Sequence, residues 1–317
     1  MGRYAAYRLL VAVPTLLSLS FLVFTLVSVA PGDPAVELAK RRFSNREITD
    51  ADVVQARHQL HLDQPFLVQY GRWLAGAAHG QLGTSFSNEA PVAAQIGGAA
   101  GASAELAGVA FVLIIAAAAP LGVVAAVFHR RWPDGLLRVL ALVGASVPSF
   151  FLAYVLIIVF VTRYHLFPVA GRTGPSSVVL PAVSLAVLPI AVVSRLLRSS
   201  LLEVLTEDYM RTARAKGLSP WRVVVRHGLR NAAIPVVTYL GGLLGGLLEG
   251  VVIVEAIFAW PGLGRLAFEA ISQRDYPMIE GVVVLAGAVY IVMNLVVDLS
   301  YRLFDPRVRV DGGGAGS

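Results

Sequence analysis

The chain has 317 residues, of which 56% are hydrophobic and 15% charged, and its mean hydropathy is +0.71. These values exclude an ordinary soluble domain, in which about 45–50% of residues are apolar and about 25% charged. The net charge of +6 is carried mostly by short segments between apolar runs, which argues against a nucleic-acid partner, and the absence of cysteine excludes disulfides and Cys-ligated metals.

Six long apolar runs predict an all-α integral membrane protein with six transmembrane helices, since about 20 residues cross a bilayer core of about 30 Å. The runs are residues 9–29, 103–128, 136–161, 179–197, 234–258 and 281–303. The first run is too long for a cleaved signal sequence, so we expect an uncleaved anchor. The predicted parts are an anchor helix (1–31), an extracytoplasmic loop with short helices (32–101), a core of five spans (102–305) and a flexible tail (306–317).

The arginines predict the orientation of these helices. One set of segments contains Arg3, Arg8, Arg130, Arg131, Arg138, the arginines from 195 to 230, Arg302, Arg307 and Arg309. The opposing short loops contain only Arg163, Arg172, Arg265 and Arg274. The positive-inside rule therefore places both termini in the cytoplasm of a multi-pass protein of the inner (plasma) membrane. In the long outer loop, the pattern predicts two short helices, at 50–62 and 65–78, the second with an aromatic face.

Sites for chemistry are scarce. No Gly-x-x-x-x-Gly-Lys-[Ser/Thr] loop occurs, so the chain itself is not expected to hydrolyse ATP, and we expect no catalytic residue. The six histidines lie outside the predicted spans, and His58 and His61 are better interpreted as a solvated helix face than as metal ligands. We therefore expect neither a metal site nor a cofactor bound by this chain.

The cytoplasmic stretch 203–230 predicts a helix, a glycine stop and a second helix. Gly217 suits a C-terminal cap, Ser219 an N-cap and Pro220 the first helical position. Such a defined arrangement in a basic loop favours docking of a soluble partner over mere contact with anionic lipid headgroups.

Residues 209–218, followed by 226–235, resemble the cytoplasmic loop of binding-protein-dependent ABC importer permeases, specifically the dipeptide, oligopeptide and nickel branch. The supporting segments are residues 31–34, 62–65, 69–70, 80–85, 146–150, 258–264 and 274–277. The resemblance covers nearly the whole chain. It implies a type I ABC importer-like transmembrane domain that works with a second homologous permease in a heterodimer, two ATP-binding subunits and an extracytoplasmic substrate-binding protein, within membrane lipids. ATP and Mg are then used by the partner ATPase subunits.

In that family the loop motif consists of Glu-Ala-Ala, three further residues and then Gly. In this chain only Ala213 and Gly217 match the motif, and Arg211 stands at the position of the Glu. The resemblance implies an ATPase-coupling loop at about 199–231. Its candidate contact residues are Tyr209, Arg211, Ala213, Arg214, Lys216, Gly217 and Leu218.

Polar residues within the spans are candidates for function because they are costly in lipid. Glu249, with Asn294, is predicted either to line the translocation path or to form a buried hydrogen bond, whereas Glu255 and Asp298 are expected to reach the interface. The turn containing Phe258, Trp260, Pro261 and Gly262 is predicted to form an outer gate, a receptor contact or an interfacial aromatic anchor.

The sequence is thus interpreted as the permease subunit of an ATP-driven importer of short peptides. A nickel or nickel-chelate importer of the same family is the alternative. A self-sufficient secondary transporter is a remote one, because no internal repeat is visible. An intramembrane enzyme would need catalytic residues at matched depth in the spans, and none is recognisable.

Overall fold

The computed structural model describes residues 2–43, 45–217 and 220–304, and within these ranges the regular elements are all helical. The α-helices are α1 Gly2–Val29, α2 Pro34–Arg42, α3 Asp50–Gln59, α4 Phe66–Ala78, α5 Val92–Val127, α6 Trp132–Ser146, α7 Ser149–Leu156, α8 Val179–Val204, α9 Asp208–Ala215, α10 Pro220–Arg222, α11 Leu229–Ile257, α12 Leu263–Ser272 and α13 Tyr276–Phe304. π-helical turns at Ile157–Arg163 and Val223–Gly228 extend α7 and α10, and a short 3₁₀ turn at Pro175–Val178 precedes α8. The all-α prediction is confirmed for these residues.

Three helices in the described ranges are long and apolar enough to cross a membrane: Leu10–Val29, Val92–Val127 and Pro175–Val204. Two bent pairs raise the number to five if each pair is one span, namely Trp132–Ser146 with Ser149–Arg163 and Val223–Leu247 with Gly250–Ile257. The sixth predicted run falls in α13, where the shorter stretch Tyr276–Val292 is apolar. The count of six spans and the side on which the termini lie therefore stay predictions.

The first bent pair occupies the region of the span predicted at 136–161. α6 and α7 meet at an angle of 101°. The cause is Pro148, because a proline disfavours helical geometry in the residue before it, and Val147 is extended at φ −90° and ψ 118°.

The described residues form two compact units, the first within 1–104 and 259–291, the second within 105–258 and 292–304. In the first unit, the predicted aromatic face of α4 is confirmed. Tyr70 and Trp73 pack against α1, with ring centroids 5.2 Å apart for Phe21 and Tyr70 and 6.0 Å apart for Phe24 and Trp73. These contacts hold α4 against the first apolar helix.

Asp52 fixes the start of α3 in the same unit. Its carboxylate accepts two hydrogen bonds of 2.7 Å from the Arg46 guanidinium and further bonds from the hydroxyl and backbone N–H of Thr49. The Arg46 hydrogen bonds, reinforced by those from Thr49, hold the pKa of Asp52 well below its usual range.

Asp275 joins distant parts of the first unit and is almost fully buried. It accepts hydrogen bonds from the Ser85 hydroxyl, from the backbone N–H of Phe86 at 3.1 Å and of Ser87 at 3.2 Å, and from that of Met278 at 3.4 Å. The carboxylate therefore satisfies free donors at the start of α13 while it anchors the loop before α5.

The second unit is organised around α8, which packs against α6, α7 and α11. A buried cluster includes Ile114 and Ala118 of α5, Leu197 and Leu201 of α8, and Val236 of α11. Gly122 permits the close approach of α5 to α8, since a Cβ there would lie 2.8 Å from the backbone oxygen of Ser194 and 2.9 Å from Leu197 Cβ.

Candidate functional site

The predicted coupling helix is present as α9, an eight-residue helix after the end of α8. Met210 is fully buried and Ala213 nearly so, and both pack with Val223 in a small apolar cluster to which Val204 and Leu205 also contribute. Met210 and Ala213 are three positions apart and so lie on one face of the helix. Through this face, α9 is attached to the chain's own helices.

Gly217 ends this helix as predicted. It has φ +78°, in the left-handed region that glycine adopts without steric cost, and the Lys216 N–H bonds the Thr212 carbonyl at 3.1 Å. Pro220 opens α10, also as predicted. Leu218 and the predicted N-cap Ser219 lie outside the described residues.

Gly228 brings the following π-helical turn close to α9. A Cβ at this position would lie 3.1 Å from Leu201 Cδ1 and 3.3 Å from Met210 Cε. Three residues later, the Asn231 side-chain amide donates a hydrogen bond of 2.7 Å to the Tyr209 hydroxyl. Residues 226–235 thus hold α9 from a second direction. This gives a structural role to a segment that, in the sequence, resembles the cytoplasmic loop of importer permeases.

Other side chains of α9 and of the turn after it are exposed. The Arg211 side chain is 75% exposed and lies 3.6 Å from Asp208, and Tyr209 and Lys216 are also exposed. On the next element, Trp221 is 62% exposed. Of the predicted contact residues, Ala213 instead faces the chain itself. Arg214 belongs to α9, but its side chain lies outside the described part.

The role of Met210, Gly228 and Asn231 was missed in the sequence interpretation. Met210 offered a signal, since it is the one large apolar side chain in Asp208–Ala215 and is paired at helical spacing with Ala213. Gly228 and Asn231 act through contacts with residues 27 and 22 positions away, at Leu201 and Tyr209. No local pattern marks such pairs.

A buried ionic cluster near the end of α8 was also missed. Asp134 is fully buried and accepts two hydrogen bonds from Arg198, of 2.7 and 2.9 Å, and one of 3.0 Å from the Arg130 backbone N–H. Arg138 Nε is 3.6 Å away and His129 Nδ1 is 3.4 Å away. This cluster ties the start of α6 to α8 six residues before α8 ends, and α9 follows that end.

The predicted path residues Glu249 and Asn294 belong to α11 and α13, and their side chains lie outside the described part, as does that of Asp298. Glu255 is fully buried, so the expectation that it reaches the interface is wrong. The reason is its register. Val251 and Phe258, four residues before and three after it, are buried on the same side of the chain, so Glu255 shares their protein-facing side.

The aromatic turn after α11 is packed rather than open. Trp260 is 1% exposed and donates a hydrogen bond of 2.8 Å from Nε1 to the Ala102 carbonyl, while Ala259 has φ +49°. Phe258 and Gly262 are buried as well, and Pro261 alone of the four predicted residues is exposed. The two rings therefore anchor the turn within the chain, and its role as a gate, a receptor contact or an interfacial anchor stays a prediction.

Within residues 2–43, 45–217 and 220–304, no three His, Cys, Asp or Glu side chains gather as they would to hold a metal ion.

Comparisons with known proteins agree along the chain. The family "Binding-protein-dependent transport system inner membrane component" matches residues 118–310, and its N-terminal counterpart, "Binding-prot-dependent transport system membrane comp, N-term", matches residues 1–100. The chain is 41% identical over 310 residues to the glutathione transport system permease protein GsiC of Escherichia coli (strain K12), covering 98% of this chain and 99% of that one. The same permease of Salmonella paratyphi A (strain ATCC 9150 / SARB42) is 40% identical over 309 residues, with the same coverage.

Two solved structures share the fold. The MetNI methionine ABC transporter in an inward-facing conformation matches with a TM-score of 0.54 at 19% identity, covering 66% of this chain and 96% of that one. An amino acid ABC transporter crystallised with histidines matches with a TM-score of 0.51 at 14% identity, covering 66% and 94%. At such identities the likeness concerns the fold alone. The family matches and the full-length relatives lead to one conclusion: this chain belongs to the inner-membrane components of binding-protein-dependent transport systems, as the permease subunit of an ABC importer.

Proposed function

We propose that the imported substrate is a short peptide. The observation that supports it is the full-length similarity to permeases named for glutathione transport, at 41% identity over 98% of this chain, because glutathione is itself a tripeptide. A pathway for such a molecule needs more than one membrane subunit in this family, so the chain is proposed to pair with a second homologous permease. An extracytoplasmic binding protein would deliver the peptide.

Energy is proposed to come from two ATP-binding subunits that use ATP and Mg, while this chain binds no nucleotide of its own. The exposed side chains of this segment are proposed as their docking surface, namely Tyr209 and Arg211 on α9, Lys216 just after it and Trp221 on α10. The buried face of α9 supports this role. A helix held by Met210, the Asn231 amide and a glycine stop can transmit a displacement, whereas a loose loop would absorb it.

In this proposal the chain is a multi-pass protein of the inner membrane with both termini in the cytoplasm. That orientation puts α9 and the Asp134 cluster on the side where ATP is available, in agreement with the concentration of arginines in these segments.

Uptake by the reconstituted importer tests the substrate. Proteoliposomes that contain this chain, the second permease, the ATP-binding subunits and the binding protein are offered radiolabelled glutathione, radiolabelled trialanine or radiolabelled nickel. We expect ATP-dependent accumulation of at least one peptide, and none when ATP is replaced by a non-hydrolysable analogue. Accumulation of nickel without peptide would move the chain to the metal branch, and ATP-independent uptake by this chain alone would contradict the importer mechanism.

A further inference from the structure

The first unit contains a cavity of about 520 Å³ that the importer mechanism does not use. It lies among the end of α1, α3, α4, the loop after α4 and the start of α13. One wall is aromatic, with Phe24, Trp73, Phe86 and Tyr276. Its volume falls within the range of about 300–1,000 Å³ found for small-molecule sites.

Two opposite charges line this cavity without a partner. Glu280, one turn into α13, and Arg72, on α4, make no hydrogen bond or ion pair with any residue of the described part. Arg72 is exposed and Glu280 is half-buried, whereas some other charges of the same unit are paired, as Asp52 is with Arg46 and Glu37 with Lys40 and Arg274. An unpaired carboxylate near the start of an apolar helix raises the free energy of the protein. Glu280 would therefore bind a cationic group of a ligand favourably.

Two of the aromatic residues that line the cavity also carry polar atoms. Trp73 Nε1 and Tyr276 Oη are buried and have no hydrogen-bond partner within the described ranges, so a ligand would meet the rings rather than these atoms. The faces of Trp and Tyr also attract ammonium groups.

We infer that this cavity binds a zwitterionic small molecule of short-peptide size. Its ammonium group pairs with Glu280 and its carboxylate with Arg72, while its apolar parts lie against the aromatic wall. The inference goes beyond the proposed import function, because it assigns a binding site to the first unit by itself and needs neither ATP nor transport.

Binding of radiolabelled trialanine to the assembled permease in nanodiscs, without binding protein and without ATP, tests the inference. N-acetyl-trialanine lacks the ammonium group and trialanine amide lacks the carboxylate, so each should compete at least about tenfold less well than trialanine. Glu280→Gln should weaken trialanine binding about tenfold and abolish the discrimination against the acetylated peptide only. Arg72→Gln should abolish the discrimination against the amide only.

Glu89→Gln and Arg163→Gln are matched controls, because both side chains are exposed and neither lines the cavity, and they should leave binding unchanged. Absence of saturable binding to the wild type would overturn the inference, as would variants that lose affinity without changing either discrimination. The outcome is separable from the proposed function. Peptide uptake without this binding would refute the site and leave the proposed import of peptides intact. This binding together with uptake of nickel alone would support the site and refute the proposed peptide substrate.

Discussion

At Asp134 the chain buries a carboxylate completely, and Arg198 supplies two of the hydrogen bonds that make this burial tolerable. Arg198→Ala should leave the carboxylate underpaired and lower the free energy of unfolding by about 3 kcal/mol. The loss should lie at the lower end of the usual range because Arg138 and the Arg130 N–H remain close. Thermal unfolding of the purified protein in detergent measures the effect.

Arg195→Ala is the matched control for this prediction, since Arg195 lies on the same helix and is exposed, and it should change the unfolding temperature little. The double variant Asp134→Asn with Arg198→Gln should recover part of the loss, because it leaves no unpaired charge. An unchanged unfolding temperature in Arg198→Ala would refute the structural role of the pair.

Asp52 should make the stability around α3 depend on pH. Since its pKa is lowered in the folded protein, Asp52 contributes stability above about pH 4, near the pKa of an unfolded aspartate, and that stability is lost as the pH falls further. Hydrogen exchange over residues 45–60, compared with Asp52→Asn at each pH, should show stronger protection in the wild type at pH 7. The difference should shrink as the pH falls towards 3 and below.

Asp50→Asn is the control here, because Asp50 is exposed at the start of the same helix and should show little difference at any pH. A protection difference between wild type and Asp52→Asn that persisted unchanged at low pH would contradict the role given to the Arg46 pair.

Among the elements, the contact of α5 with α8 yields a paired test of two glycines in one helix. Gly122→Ala should cost about 2 kcal/mol, because its Cβ would meet the Ser194 backbone oxygen at 2.8 Å and neither helix can give way cheaply. Gly108→Ala meets nothing within 4 Å and should be neutral or stabilising by up to about 1 kcal/mol. Equal effects of the two substitutions on thermal unfolding would show that α5 and α8 do not pack as described.

Local patterns predicted those elements that depend on a few neighbouring residues. The glycine stop at Gly217 follows from backbone sterics, and the aromatic face of α4 follows from helical spacing. The bend between α6 and α7 was not predicted, although Pro148 is present in the sequence. The count of apolar residues shows only whether a segment is long enough to cross a bilayer, and it ignores the backbone geometry that proline imposes.

Long-range pairs were beyond prediction from local pattern. Asp134 and Arg198 are 64 residues apart, and Ser85 and Asp275 are 190 apart, yet each pair forms buried hydrogen bonds. Because many arginines and serines could serve as partners, the sequence contains no local sign of which one the fold selects. The candidate surface on α9 was predicted as a segment, whereas the division between its buried and exposed faces came only from the packing of Met210 and Ala213.

For the whole molecule, we propose that α9 couples the membrane helices to the subunits that use ATP. The Asn231 amide of α11 holds the start of α9 at Tyr209, and the Asp134 cluster fixes α8 near the end that precedes α9. The exposed residues of α9 are available to another subunit. The proposed coupling predicts that this surface contacts the ATP-binding subunits.

Site-specific cross-linking measures that contact most directly, and the natural lack of cysteine makes single-cysteine variants clean. A photoreactive maleimide is attached at Arg211→Cys or Trp221→Cys on the exposed face, and at Leu67→Cys as an exposed control on α4. We predict that positions 211 and 221 cross-link to the ATP-binding subunits with a yield that changes when ATP is bound, and that position 67 does not. Cross-links from position 67, with none from positions 211 and 221, would contradict the proposed coupling through α9.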